Sequence, residues 1–332
     1  SKAAFDEMPR PEQYAFLRQL ADFEVLAVLF SGGEPLAQPG VLELMEYARG
    51  LGLRVSLSTN GTLITRQLAE NMAELGISYV GVSIDGLAAA HDRFRGSPGS
   101  FNRALEGIRS SQEAGIRAGL RCTVTRSNVA DIPGIMDLLE TESIDRVCFY
   151  HLVYTGRGSA LMAEDLDHSE TRKMLDLVIE RTVDFHRRGL TKQVLTVSNH
   201  ADGPYVYQRL LTEDPEAAEN ARRILSRNGG NSSGVGIAAV GWDGTVYPDQ
   251  FWRTRPLGNV TERPFGEIWT DRKNTFLGAL KEKSSHVTGR CAGCRYLAIC
   301  GGNFRARAEA AHGDPWAPDP ACYLTDEEIA VS

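Results

Sequence analysis

The sequence predicts an α/β protein built on a parallel sheet, with a smaller cysteine-rich unit after it. Three observations carry that expectation. Short apolar runs alternate with amphipathic helical stretches over residues 9–190. Polar clusters containing glycine follow three successive runs. Of six cysteines, four crowd into the C-terminal end of the chain.

The strand candidates are Val25–Phe30, Arg54–Ser58, Tyr79–Ile84, Arg117–Val124 and Val147–Leu152. Between them lie helical patterns at Pro11–Phe23, Val41–Leu51, Thr65–Leu75, Ser100–Ala114, Asp131–Glu142 and Ser169–Arg188. Strands alternating with helices of this length imply right-handed βαβ units and a parallel sheet. Periodicity is met equally by a barrel and by a doubly wound sheet. Beyond residue 190, Gln193–Ser198 is a further strand candidate and Gly203–Arg227 is polar and largely helical. A hairpin signal follows the Gly/Asn/Ser-rich loop Asn228–Gly234: Val235–Val240, the turn Gly241-Trp242-Asp243-Gly244, then Thr245–Pro248. These divisions predict a sheet domain over 1–190, a connecting segment over 191–234 and a loop-rich domain over 235–332.

The 332 residues carry 42% hydrophobic and 24% charged side chains, ordinary for a soluble globular protein. A formal charge of −7 argues against nucleic-acid binding, because a phosphate backbone calls for a basic surface. No apolar run reaches membrane-spanning length and nothing at Ser1 reads as a signal peptide, so a cytoplasmic protein without a membrane partner is expected. In a reducing compartment, clustered cysteines hold metal or iron–sulfur more often than disulfides. Cys122 and Cys148, inside apolar strand candidates, read as buried inert thiols.

Ser31-Gly32-Gly33-Glu34-Pro35 directly follows a strand candidate. Paired glycines let a ligand approach the backbone, and a carboxylate before a rigid proline fixes the turn. An ordinary strand-to-helix turn would also use paired glycines. Ser58-Thr59-Asn60-Gly61-Thr62 ends the next strand, and Ser83-Ile84-Asp85-Gly86 the one after. Polar clusters at three successive strand ends point to one site at the carboxyl edge of a parallel sheet.

These three motifs resemble those of the radical S-adenosylmethionine (SAM) superfamily, whose fold is a partial (β/α)6 TIM-like barrel. The resemblance implies that Gly32, Gly33 and Glu34 hold the amino group of the SAM methionine. It implies that Ser83 and Asp85 contact the ribose, and that Arg121 or Thr123 meets the methionine carboxylate, with a surface role as the alternative for Arg121. Asn60 and the backbone near Leu152 are further contacts by the same resemblance. The run His91-Asp92-Arg93-Phe94-Arg95-Gly96 echoes a family loop; Arg93 and Arg95 would meet substrate carboxylates there or belong to a solvated charged loop. Arg157, after the last of these strands, is one more charge on the same expected rim.

The superfamily holds its SAM-binding 4Fe–4S cluster with a C-x3-C-x2-C triplet, and no cysteine here precedes Cys122. The catalytic cluster ligands are therefore not among these residues. The expectation is that the first strand and cluster loop were truncated ahead of Ser1 or were too disordered to be seen, with a degenerate, non-catalytic relative as the alternative.

Cys291, Cys294, Cys300 and Cys322 form a C-x2-C pair followed by two more distant thiols. Four thiolates at this spacing satisfy an iron–sulfur cluster and a zinc ion equally. Together with Gly258-Asn259-Val260 and Phe265-Gly266-Glu267-Ile268-Trp269, they resemble the SPASM/twitch domain, which implies one auxiliary 4Fe–4S cluster. The surrounding residues, Cys294–Ala308, Gly313–Tyr323 and Tyr247–Trp252, resemble tetrapyrrole-modifying members, most closely the heme d1 biosynthesis family. Arg305 and Arg307 would bind substrate propionates or lie on a helix surface.

The resemblance implies a 5′-deoxyadenosyl radical that abstracts hydrogen from propionate side chains of 12,18-didecarboxysiroheme, fed by an electron donor such as flavodoxin or ferredoxin. The rivals are a coproheme-decarboxylating heme synthase, a SPASM peptide maturase and, from another class, a non-catalytic zinc-stabilised binding protein.

Overall fold

A computed structural model describes residues 7–331; the side chain of Arg157 lies outside the described residues. The chain divides into two compact units, the first made of Met8–Tyr150 and Asp176–Leu195. Its sheet comprises β1 (Ala27–Phe30), β2 (Arg54–Thr59), β3 (Tyr79–Ser83), β4 (Arg117–Thr123), β5 (Arg146–Tyr150) and β6 (Gln193–Val197). Strand order is β1-β2-β3-β4-β5-β6, and the pairings from β1 to β5 are parallel. A doubly wound sheet reverses its strand order at a switch point. This sheet never reverses, which is the progressive winding of a barrel, with six strands where a closed TIM barrel has eight.

Helices α1 (Arg10–Asp22), α2 (Val41–Gly50), α3 (Arg66–Glu74), α4 (Ala88–Arg95), α5 (Ser100–Glu113), α6 (Ile132–Thr141) and α7 (His168–Arg187) punctuate the strands. The run from His91 to Arg95, expected as a loop, is the second half of α4. Ala88-Ala89-Ala90 supplies helix propensity that the charged residues masked, and Gly96, at φ 62°, ends the helix in the left-handed region.

Side chains alternate across each strand. Val55, Leu57, Val80, Val82, Leu120, Cys122, Val147 and Phe149 form the solvent-free face. The opposite face carries Ser56, Ser58, Tyr79, Gly81, Arg121, Cys148 and Tyr150, several of them polar and half-buried.

The second unit contains His151–Leu175 and the chain from Thr196 onward. The predicted helical stretch is two helices, α8 (Asp202–Glu213) and α9 (Pro215–Asn228). Asp214 sits extended between them, as a residue before proline prefers, and its carboxylate caps α9 by accepting from Ala217 N–H at 3.0 Å. A small antiparallel sheet follows, in the order β7 (Ala239–Val240), β8 (Thr245–Tyr247), β9 (Gly258–Asn259). The first hairpin strand is shorter than predicted, because Ser232 O accepts from the N–H groups of Val235, Gly236 and Ile237 and curls that segment into a turn.

Short helices complete the unit: α10 (Phe265–Trp269), α11 (Thr275–Lys281), α12 (Leu297–Cys300), α13 (Arg305–His312) and α14 (Asp326–Ile329). Val153, Trp252, Leu280, Phe304 and Ala306 form a core cluster here, edged by Phe251, Phe276 and Trp316. Among the described residues, no helix is long and apolar enough to cross a membrane.

Candidate functional site

In the first unit the predicted residues gather at the carboxyl ends of β1 to β4. Phe30 pairs with Leu57, Thr59 with Val82 and Ser83 with Arg121. The residues just beyond β1 and β2, including Gly33 and Asn60, therefore lie at the same edge of the sheet as Ser83 and Arg121.

Gly32 and Gly33 are exposed, and a methyl group added to either would meet no atom within 4 Å. Gly32 holds φ +149°, a conformation that side-chain-bearing residues avoid. Glu34 does not reach outward. Its Oε1 accepts from the Thr59 hydroxyl at 2.6 Å and from Leu36 N–H at 3.1 Å, while Oε2 accepts from Asn60 N–H at 2.7 Å. The carboxylate thus ties the glycine turn to the end of β2. Asn60 spends its side-chain oxygen on Thr62, accepting from the N–H at 2.8 Å and from the hydroxyl at 2.7 Å.

Asp85, expected at a ribose, is turned inward and is 1% exposed. Its Oδ1 accepts from Thr123 N–H at 2.8 Å, and Oδ2 forms an ion pair with Arg95. Arg95 is thereby drawn into the unit, while Arg93 remains exposed. Asp85 N–H donates to His91 Nδ1 at 3.1 Å, which fixes an acceptor on that ring nitrogen. Burial, more than any neighbouring charge, pushes the His91 pKa below its ordinary value. Asn128 closes the turn by donating to the carbonyls of Thr123 at 2.8 Å and Asp85 at 3.1 Å.

Arg121 packs against an aromatic ring. Its guanidinium lies 4.7 Å from the Tyr150 ring centroid, and its stem packs over Gly81, where an added methyl would come within 2.7 Å of Cδ. A half-buried guanidinium held on an aromatic face, with no carboxylate partner among the described residues, is suited to receive one bidentately. Thr123 follows two residues on, at the same strand end, opposite Tyr150.

In the second unit, Cys291, Cys294, Cys300 and Cys322 are all free thiols. Burial pushes the Cys300 thiol well above its ordinary pKa, and the nearby thiols of Cys322, Cys291 and Cys294 push it further. Cys322 is raised to about 11, chiefly by burial. Four sulfurs that repel one another's ionisation form one neighbourhood. Among the described residues, however, no three His, Cys, Asp or Glu side chains converge closely enough to hold a single ion. Backbone donors face the sulfurs: Tyr296 N–H lies 3.4 Å from Cys294 Sγ. The donor set fits a thiolate-bound inorganic group.

Arg305 and Arg307 neither face a substrate nor lie on a helix surface. Both are fully buried. Arg307 donates from Nε and Nη2 to the two oxygens of Asp319, at 2.8 and 2.9 Å, and from Nη1 to Leu152 O at 2.9 Å. The carbonyl of Leu152, whose backbone was expected as a further SAM contact, thus accepts from Arg307. Arg305 donates to the carbonyls of Pro315 at 2.9 Å, Ala317 at 2.7 Å and Gly302. Tertiary burial reversed an expectation drawn from the usual exposure of arginine.

A second arrangement went unread in the sequence. His151 Nε2 and Asp202 Oδ2 are 2.9 Å apart, and the Tyr323 hydroxyl donates to Asp202 Oδ1 at 2.9 Å. Burial, then Asp202, pushes the Tyr323 pKa well up, so it stays a donor. His151 lines a cavity of about 540 Å³ with Tyr154, Asp165, His168, Thr171 and Pro320. No local pattern could have revealed a relay between positions so distant in the chain.

Comparison with known proteins finds two matching families and several relatives. Residues 5–139 match the Radical SAM superfamily, and residues 233–295 match the SPASM iron–sulfur cluster-binding domain. The chain is 52% identical to the Fe-coproporphyrin III synthase of Methanosarcina barkeri, over 98% of this chain and 82% of that protein. It is 41% identical to the pre-heme d1 synthase of Dinoroseobacter shibae, over 95% of this chain and 78% of the relative. Among solved structures, Streptococcus suis SuiB bound to S-adenosylmethionine superposes with a TM-score of 0.74 at 19% identity, covering 98% of this chain and 72% of SuiB.

Proposed function

Because this chain belongs to the radical SAM superfamily, among its heme-related synthases, we propose that it remodels carboxylate-bearing side chains of 12,18-didecarboxysiroheme. The reading rests on one observation above the others: Arg121 and Ser83 stand paired at the same carboxyl edge of the sheet that the open glycines Gly32 and Gly33 follow. In this reading Arg121 takes the methionine carboxylate of SAM, Ser83 takes a ribose hydroxyl, and the glycine backbone meets the amino group. Glu34 and Asp85 hold those strand ends in shape, Glu34 through Thr59 and Asn60, Asp85 through Thr123. When bound, SAM with a reduced 4Fe–4S cluster supplies a 5′-deoxyadenosyl radical for removing a side-chain hydrogen. An electron carrier such as flavodoxin or ferredoxin would deliver the reducing electron.

For the C-terminal thiols we propose an auxiliary 4Fe–4S cluster on Cys291, Cys294, Cys300 and Cys322. A single zinc ion with bonds of about 2.3 Å would draw its sulfurs within about 4 Å of one another. A four-iron cube spreads the same four ligands more widely. The match of residues 233–295 to the SPASM iron–sulfur cluster-binding domain supports the cube over the ion.

Two products remain in competition. Identity of 52% to the M. barkeri Fe-coproporphyrin III synthase, against 41% to the D. shibae pre-heme d1 synthase, favours Fe-coproporphyrin III over a heme d1 precursor. The test is anaerobic reconstitution, with iron and sulfide, of a protein that carries the C-x3-C-x2-C loop ahead of these residues, then incubation with SAM, dithionite and 12,18-didecarboxysiroheme, with products identified by mass spectrometry. Fe-coproporphyrin III is the expected product, and a propionate-modified product would restore the heme d1 assignment. Zinc in place of iron and sulfide, or no tetrapyrrole-dependent 5′-deoxyadenosine, would remove the proposal.

A further inference from the structure

Arg305 is 0% exposed, and its two Nη groups are occupied by the carbonyls of Pro315, Ala317 and Gly302. Its Nε is also buried and has no hydrogen-bond partner among the described residues. Leaving a charged donor unsatisfied in the interior is costly, so such an atom calls for a negative partner. Asp319, the nearest acidic candidate, already has both oxygens gripped by Arg307. The other ionisable groups within electrostatic reach are Cys291 and Cys300, which become anionic only as thiolate ligands. Gly302, which accepts from Arg305, lies two residues beyond Cys300.

A second cation stands in the same neighbourhood. Lys283 is half-buried, donates to Asn231 O and interacts electrostatically with Cys300. Its stem passes close to Gly301, where an added methyl would come within 2.6 Å of Cε.

We propose that Arg305 and Lys283 are electrostatic partners of the cluster held by Cys291, Cys294, Cys300 and Cys322, and that they raise its reduction potential. The inference rests on the auxiliary-cluster reading above. Reduction adds one electron to a centre already bearing four thiolate charges. A fixed cation in a low-dielectric surround stabilises that added charge more than it stabilises the oxidised form. Arg305 cannot lose its proton at any working pH, so its effect is permanent.

The test is an anaerobic titration of the reconstituted protein with dithionite, followed by electron paramagnetic resonance. It tracks the signal that added SAM leaves unchanged, with iron and sulfide per chain measured alongside. Arg305→Gln should load the cluster and show a more negative midpoint potential, whereas Arg305→Lys should stay near wild type. Lys283→Met should shift the midpoint in the same direction by a smaller amount. An unchanged midpoint in loaded Arg305→Gln overturns the proposal. If Arg305→Gln does not fold, an unchanged midpoint in Lys283→Met does so. A wild-type protein that binds zinc without sulfide overturns the cluster reading itself, and this inference with it.

Discussion

Arg307 grips Asp319 through two parallel hydrogen bonds, Nε to Oδ1 at 2.8 Å and Nη2 to Oδ2 at 2.9 Å, where neither side chain meets solvent. The same carboxylate accepts from Phe304 N–H at 2.9 Å and Ala321 N–H at 3.0 Å, and Cys322 N–H donates to Asp319 O at 3.1 Å. One acid therefore ties the start of α13 to the loop that carries the last thiol. Removing one partner of a buried ion pair strands the other, a loss of about 3–5 kcal/mol. Arg307→Met and Asp319→Asn are each expected to destabilise by that order in urea unfolding. The double variant should lose less than the sum of the two. Additive losses would show that the two side chains do not depend on each other.

Two glycines at neighbouring strand ends should respond in opposite ways. Gly61 holds φ +77°, and a methyl there would lie 2.6 Å from Val82 Cγ1. Gly61→Ala combines left-handed strain with a clash and is expected to cost about 1–3 kcal/mol. Gly33 faces open space, so Gly33→Ala should leave stability within about 0.5 kcal/mol. If a ligand approaches that backbone, Gly33→Ala nevertheless weakens SAM binding, by about tenfold or 1.4 kcal/mol. Calorimetric titration beside thermal melting separates the two effects. Unchanged SAM affinity in Gly33→Ala would take the glycine turn out of the site.

The strand ends were legible because their signals are local. Ser31–Pro35, Ser58–Thr62 and Ser83–Gly86 each combine an apolar run with turn residues a few positions away. Parallel pairing then brings those ends together without long-range information. What those side chains touch was less legible. Asp85 turns inward because Arg95, ten residues on, is swung back by a helix that the sequence reading missed. Arg305 and Arg307 read in the sequence as substrate ligands or helix-surface residues, since arginine is seldom buried, and only the packed unit supplies carbonyls and Asp319 to receive them. The relay from His151 through Asp202 to Tyr323 spans separations of 51 and 121 residues, beyond any periodic pattern.

Stability should fall below neutral pH for a reason separate from carboxylate protonation. Burial lowers the pKa of His91, and lowers that of His200 to about 4. An unfolded histidine titrates near 6.5, so as pH falls through that value the unfolded chain takes up protons that the native chain refuses. The stabilisation is complete above about pH 6.5 and is lost as pH drops toward 4, by at most about 1.4 kcal/mol per pH unit for each group. His200→Gln removes one such group. Its urea midpoint should therefore drop less between pH 7.5 and 5.0 than that of the wild type. An equal drop would show that His200 is free to protonate in the folded protein.

Arg121 offers the sharpest separation of ligand binding from folding. Its guanidinium rests on Tyr150, and its stem fills the space left by the absent side chain of Gly81. Arg121→Lys keeps the charge but loses the planar fork that pairs with a carboxylate through two nitrogens. SAM affinity should fall about tenfold, or 1.4 kcal/mol, while the melting temperature changes little. Gly81→Ala should act at one remove. Its new methyl would sit 2.7 Å from Arg121 Cδ, so it displaces the guanidinium while leaving its chemistry intact. Weakened SAM binding in both variants, with methionine competing less well in parallel, would identify the carboxylate as the group Arg121 holds. Loss of SAM affinity without loss of methionine competition would move Arg121 away from the carboxylate and toward another part of the nucleotide.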